Sequence, residues 1–358
     1  MGIKNLLSYL RKHDPSLFKP IDVNIFHGKK VAVDASIYMC KFKASRGDDW
    51  LEGFTTFLSL AMENNIHLLF VFDNGYPVEK EKERAKRDEQ KKKSKERIRI
   101  LECDINAYQL SKDTRAPGEL LSISTLLRET YDKENSDRRK KRQSLLLRSS
   151  AEFDISVVID KLERLKKHNF SITSRDYDSL RELLDIIEVP WILANGEAEK
   201  TCVQLLHLSV VDAVMSEDSD CLAYGCSNFI TRLNINNGSC VCVNSDNVYA
   251  SLGMNKDMFL DFCILLGTDY NSNIKGFGPV KSKKLLDENN SIDNIKDIDT
   301  SCLSHISVRS LFRRFDPIST ENVKKMRYVG RPNVRLLGIF LRKKNCSSSY
   351  ERLVNAFS

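Results

Sequence analysis

Apolar and polar positions fall into blocks whose period changes along the chain. Lys30-Val-Ala-Val-Asp34 is a short β-branched run that ends on an acid, and Leu68-Leu-Phe-Val-Phe-Asp73 repeats the design. Runs without polar alternation read as strands buried on both faces. Asp212-Ala-Val-Met-Ser216 is a weaker third example, and Val189-Pro-Trp-Ile192 a fourth short strand. Between the first two, Leu51, Phe54, Phe57, Leu58 and Met62 recur at helical spacing and predict a helix over 50–64. Strand, helix, strand is a βαβ unit, so the expected fold class is α/β, with a central, mainly parallel sheet flanked by helices. Ligands of such sheets bind beyond the carboxyl ends of the strands, where both terminal acids would point.

After Pro77 the pattern breaks. Residues 79–97 hold ten Lys or Arg, six acids and no large apolar side chain, which predicts a solvated helix. Residues 98–150 show little periodicity and include Ala116-Pro117-Gly118 and the run Asp137-Arg-Arg-Lys-Lys-Arg142. They read as an insert, partly helical. Helical spacing returns from 151 through Leu165, and again over 175–187 with Tyr177, Leu180, Leu183, Leu184 and Ile187.

Charge adds a hint. Across 358 residues, 56 Lys and Arg face 49 Asp and Glu, a net +7 compatible with a polyanionic partner. The ten cysteines are scattered, with no zinc-knuckle spacing, and fit a reduced interior. No apolar stretch reaches the ~18 residues of a membrane span, the first residues are too polar for a signal peptide, and Leu6 stands where a myristoylation motif wants Ser or Thr.

Acids carry the candidate chemistry. Asp34, Asp73, Glu197, Glu199, Asp218, Asp220 and Asp269 each follow an apolar run or sit at a turn into a helix. A single acid in such a place is most often a helix cap. Seven at the strand ends of one sheet would repel each other, and burying them would be costly unless divalent cations were present. An all-oxygen, histidine-free set suits Mg²⁺, with Mn²⁺ as a substitute, over zinc. Two such ions ~4 Å apart would activate water and stabilise the leaving oxygen in phosphodiester cleavage.

Five ordered motifs sharpen this. Val31-Ala-Val-Asp34-Ala-Ser36, Val71-Phe-Asp73, Asn195-Gly-Glu197-Ala-Glu199, Ser216-Glu-Asp218-Ser-Asp220 and Leu265-Leu-Gly-Thr-Asp269-Tyr270 together resemble the structure-specific 5′ nucleases of the flap endonuclease/XPG family. The opening Met-Gly-Ile-Lys-Asn-Leu-Leu is similar too, and the likeness covers roughly 1–97 and 151–290.

The resemblance implies a PIN-like 5′ nuclease fold with a helix–two-turn–helix DNA-binding element and a helical arch or cap. It places the seven acids on the metal-binding carboxylates. Lys80 and Arg87, seven and fourteen residues after Asp73, fall on the basic residues that reach the scissile phosphate. Gly2 matches a glycine that threads close to the active site. Asn273-Ile-Lys-Gly276-Phe-Gly278-Pro-Val-Lys281 resembles the DNA-binding hairpin, with K⁺ expected at 273–278, and Lys281, Lys283 and Lys284 suit phosphate contact.

The implied segments are an N-terminal nuclease region (1–97), a divergent arch insert (98–150), an internal nuclease region (151–270) and a DNA-binding, basic C-terminal region (271–358). The implied partner is flapped or branched DNA. The setting is replication, repair or recombination in a nucleus (the host's, if the gene is viral), and the enzyme is expected to act as a monomer. A 5′–3′ exonuclease, a four-way-junction resolvase and a non-catalytic junction binder are the alternatives.

Three departures stand out. Cys40 holds the place of the base-stacking aromatic, for which Tyr38 is the substitute expected. The link between Arg97 and Ala151 is long for the family. No Gln follows Gln204, so the sliding-clamp peptide is absent, while Arg309, Arg313, Arg314, Arg327, Arg331, Arg335, Arg342, Lys343 and Lys344 make the last part basic. Setting the seven acids aside leaves 56 bases against 42 acids, a net +14 over the rest of the chain.

Overall fold

The computed structural model describes residues 2–75, 77–114, 155–318, 332–346 and 350–357. Ala116–Gly118, the basic run 137–142, Arg327 and Arg331 lie outside the described residues. The chain divides into two compact units, Met1–Glu83 with Ile172–Ser358, and Arg84–Ser171.

The first unit is built on one seven-stranded sheet. Its strands are β1 (Pro20–Asp22), β2 (Lys30–Asp34), β3 (His67–Phe72), β4 (Trp191–Leu193), β5 (Ala213–Met215), β6 (Phe229–Thr231) and β7 (Ser239–Val243), in the spatial order β1-β7-β6-β5-β2-β3-β4. From β6 to β4 all pairs are parallel, while β7 and β1 add an antiparallel edge. The sheet is therefore mixed and mostly parallel. The antiparallel strands β1 and β7 escape the hydropathy pattern because each carries a polar end, Asp22 and Ser239.

Side chains alternate across β2: Ala32 joins one apolar core, while Val31 and Val33 join the other on the opposite face. Both faces of the central strands are thus covered by helices, which is why their sequences read as unbroken apolar runs. The expected helix over 50–64 is Trp50–Glu63 and that over 175–187 is Ser174–Ile186. Register puts Asp34 opposite Val71 and Val33 opposite Met215, so β2, β3 and β5 end at one edge of the sheet. Beyond them, helix Lys256–Leu266 leads through a glycine-bearing connection to helix Pro279–Asn289.

In the second unit, the helix Glu81–Thr114 runs through the expected boundary at 97/98. The low periodicity read beyond 98 is corrected over its first turns. Ile98, Leu101 and Ile105 recur at intervals of three and four and pack with Val158, Ile159, Leu162 and Leu165 of helix Ile155–His168. Three apolar positions in a charged stretch are a thin signal when their partners lie over fifty residues away. Among the described residues no helix is long and apolar enough to cross a membrane.

Candidate functional site

Asp34 closes β2 and caps helix Ala35–Arg46. One carboxylate oxygen accepts the Ile37 amide at 3.1 Å and the other accepts the Ser216 hydroxyl at 3.0 Å. That hydroxyl in turn accepts the Asp218 amide at 3.1 Å, and Asp218 accepts the Asp220 amide at 3.0 Å. Ser216 thus stitches the end of β2 to the loop that carries two further acids. Asp73, just past β3, accepts the Ala198 amide at 2.8 Å and so holds the start of helix Ala198–His207, which Glu197 precedes and which contains Glu199. Asp269 follows helix Lys256–Leu266. There Asn271 donates to the Ile264 carbonyl at 2.8 Å and accepts the Thr268 amide at 3.2 Å, which fixes the turn.

Lys80 joins these pieces. It ends a single 3-10 turn, Val78–Lys80, and is buried at 7% exposure. Its ammonium pairs with Glu197, with Asp269 at 3.3 Å and with Glu199 at 3.8 Å, and lies 4.9 Å from the centre of the Tyr270 ring. The Tyr270 hydroxyl donates to Glu197 at 2.5 Å.

The electrostatics follow from gathering acids out of water. Burial, reinforced by Asp73, pushes the Asp34 carboxyl up to about 8. Burial also raises Asp73 and Asp218. It raises Glu199, with Glu197 adding repulsion, and Asp220, with Asp218 adding repulsion. Burial alone would lower Lys80, but Glu199 and Glu197 hold it above the ordinary lysine value.

As placed, no three His, Cys, Asp or Glu side chains among the described residues are arranged to hold a metal ion. The donor chemistry nevertheless fits a hard divalent cation. All seven candidates are carboxylates, and three of them already surround a cation, the Lys80 ammonium. Asp220 is fully buried, and both its carboxylate oxygens lack a hydrogen-bond partner. An unmatched buried carboxylate is costly and needs an electrostatic partner.

Gly2 comes close enough that a Cβ there would stand 2.1 Å from Asp218 and 2.6 Å from Asp220, and its φ of +80° also favours glycine. The next amide, of Ile3, donates to Ser219 at 2.9 Å. Arg87 lies in the second unit, on helix Glu81–Thr114.

Tyr38 does not take the base-stacking place expected of it. It is fully buried, stacked at 5.1 Å on Phe57 and 5.9 Å from Phe42, so no nucleotide can reach its ring. At the hairpin, Gly276 has φ +83° and open space around it, and Gly278 caps the next helix. Lys281 is exposed. Lys283 pairs with Asp287 at 2.7 Å and Lys284 with Glu288 at 3.8 Å along the same helix. Ser216 and Tyr270 are the residues that sequence reasoning left without a role. Their one signal is that each lies within two residues of a candidate acid.

Comparison with known proteins identifies the family and the fold. Residues 1–94 match the XPG N-terminal domain and residues 188–269 the XPG I-region. The chain is 32% identical over 368 residues to the probable RAD2-like endonuclease 076L of Invertebrate iridescent virus 3, covering 95% of this chain and 93% of that one. It is 27% identical to human flap endonuclease 1, over 82% of this chain and 68% of the relative. Its fold resembles the catalytic core of Rad2 solved with DNA substrate, at a TM-score of 0.64 and 18% identity, covering 99% and 100% of the two chains.

Proposed function

The chain belongs to the XPG/flap endonuclease family of structure-specific nucleases, and from that membership we propose that it cuts 5′-flapped or related branched DNA at the carboxylate edge of the sheet, with Mg²⁺ as cofactor. The observation that carries the reading is Asp220, fully buried with two unmatched oxygens and repelled by Asp218, Asp269 and Glu197. A junction binder without catalysis gains nothing from carboxylates that repel DNA phosphate. The flap endonucleases and the Rad2 core among its relatives support DNA as the partner.

Asp34, Asp73, Glu197, Glu199, Asp218, Asp220 and Asp269 would hold two ions, which supply, when bound, charge neutralisation for the phosphate and an acidified water. Lys80 would turn its ammonium from the acids to the non-bridging oxygens of the scissile phosphate, stabilising the charge that develops there. Tyr270 keeps Glu197 oriented and lends its ring face to Lys80. Arg87, seven residues further on, is assigned the same phosphate role as Lys80. Gly2 lets the backbone pass beside Asp218 and Asp220 without filling the substrate's space.

The helices Lys256–Leu266 and Pro279–Asn289 form a helix–two-turn–helix. Its Gly276 and Gly278 amides and Lys281, Lys283 and Lys284 would grip duplex backbone, with K⁺ in the hairpin. The four-segment organisation, the monomeric state and nuclear work in replication, repair or recombination belong to the same reading.

A double-flap oligonucleotide tests it. Incubation with Mg²⁺ should release the 5′ flap and EDTA should stop release. Persistent binding in a gel shift with no Mg²⁺-dependent cut would sink the enzyme reading in favour of a junction binder.

A further inference from the structure

Ser216-Glu217-Asp218-Ser219-Asp220 alternates in direction. Ser216, Asp218 and Asp220 belong to the carboxylate cluster, while Glu217 turns to the other side. There it is held by four contacts. The Lys41 ammonium donates to it at 2.5 Å, the Thr231 hydroxyl at 2.9 Å, and the Arg232 amide at 3.1 and 3.2 Å to its two oxygens. Lys41 also donates to the Leu233 carbonyl at 3.1 Å and lies 5.3 Å from the centre of the buried Tyr38 ring. The pair is partly buried, with side chains 33% and 24% exposed.

The geometry matters because of where Lys41 sits. It is seven residues after Asp34 on the same helix, two turns or about 10 Å along the axis. The loop 216–220 is therefore fastened to helix Ala35–Arg46 at two separated points, Ser216 to Asp34 at the head and Glu217 to Lys41 two turns below. One attachment to this helix would let the loop turn about it; two set its angle against the helix. A carboxylate cluster works only if its members keep their spacing to fractions of an ångström.

We infer that Lys41 and Glu217 form a positioning clamp that sets Asp218 and Asp220 against Asp34. Neither touches the reacting atoms; they act through the loop. The clamp rests on the nuclease reading above, because it positions that reading's metal-binding acids.

The test uses the full chain with Lys41→Met, Glu217→Gln, the double variant and Lys41→Arg. It measures Mn²⁺ binding to DNA-free protein by electron paramagnetic resonance, single-turnover flap cleavage, and flap-DNA affinity in Ca²⁺. Each single variant should weaken Mn²⁺ binding severalfold and slow cleavage about tenfold, a loss of the kind that small misplacements cause, with DNA affinity kept within about twofold. The double variant should lose less than the sum of the two single losses, since both break the Lys41–Glu217 contact. Lys41→Arg, which keeps the charge, should stay near wild type.

Unchanged Mn²⁺ binding in both single variants, additive losses in the double one, or a fall in DNA affinity that matches the fall in rate would each overturn the clamp. Should Lys41→Met not fold, Glu217→Gln and Lys41→Arg decide by the same readouts. A wild-type protein that neither binds Mn²⁺ nor cuts would instead defeat the nuclease reading itself.

Discussion

Two buried ionic clusters stand in the first unit, and they are built to opposite rules. Around Arg309 each charged group has hydrogen-bond partners. Its guanidinium takes both oxygens of Asp261 at 2.6 and 2.7 Å and reaches Asp293 at 2.7 Å and Ser291 at 3.1 Å. Asp261, 3% exposed, also accepts the Ile292 amide at 3.0 Å. Around Lys80 three acids gather, Glu197, Glu199 and Asp269, and nearby Asp220 keeps two buried oxygens with no hydrogen-bond partner. A matched cluster ties helix His305–Arg313 to helix Lys256–Leu266 and serves the fold. An unmatched one stores repulsion that protonation or an added cation relieves.

The largest effects should separate the two. Asp220→Asn removes a desolvated, repelled charge, so the protein should melt at the same temperature or higher. Single-turnover flap cleavage should nevertheless fall by about a thousandfold, a loss on the scale of removing a main electrostatic contribution to catalysis. A melting temperature lowered by many degrees would mean that Asp220 is structural and would erase the contrast. Arg309→Met should do the reverse. It strands Asp261 in the core and should cost about 3–5 kcal/mol in urea unfolding, while the cleavage rate of the still-folded fraction stays near wild type.

The contrast was only half legible in the sequence. The seven acids announce themselves, because six follow an apolar strand or lie at the start of a helix and Asp269 follows an apolar helix, places that local pattern marks well. The Arg309 cluster does not, because Asp261 lies inside an apolar helix 48 residues before its partner and nothing local marks the pair. The core strands β2, β3 and β5 were readable for the same local reason, whereas β6 and β7 are fixed by pairing with neighbours, β6 between β5 and β7 and β7 between β6 and β1. Tyr38 was misread because its spacing from Asp34 suits either a nucleotide or the core. The side was decided by Phe42 and Phe57, and Phe57 comes from another helix. Ser216 lies inside an acid-bearing motif without any local mark of its role, and its hydroxyl joins two acid-bearing segments.

A smaller effect tests the unmatched cluster without any substitution. Mg²⁺ binding to the folded state alone should raise stability by about 2.7 kcal/mol at a hundred times its dissociation constant. The melting temperature should climb with Mg²⁺ in the wild type and not in Asp220→Asn. An equal climb in both would detach metal binding from the unmatched carboxylate.

The smallest effect belongs to the rim of the matched cluster and checks its sign. Hydrogen bonding from Arg309, with smaller help from Ser291 and His305, lowers the Asp293 carboxyl to about 2. An unfolded aspartate titrates near 4. The folded carboxyl is the stronger acid, so its stabilisation is complete above about pH 4 and disappears as pH falls through about 2. Asp293 is half exposed, with its side chain at 52%, so solvent screening reduces this to the scale of a surface pair, under about 1 kcal/mol. Urea midpoints of wild type and Asp293→Asn should therefore differ slightly above pH 4 and converge toward pH 2. A gap that widened as pH fell would mean that Asp293 is strained where it sits, and that even the matched cluster holds a charge the fold would rather lose.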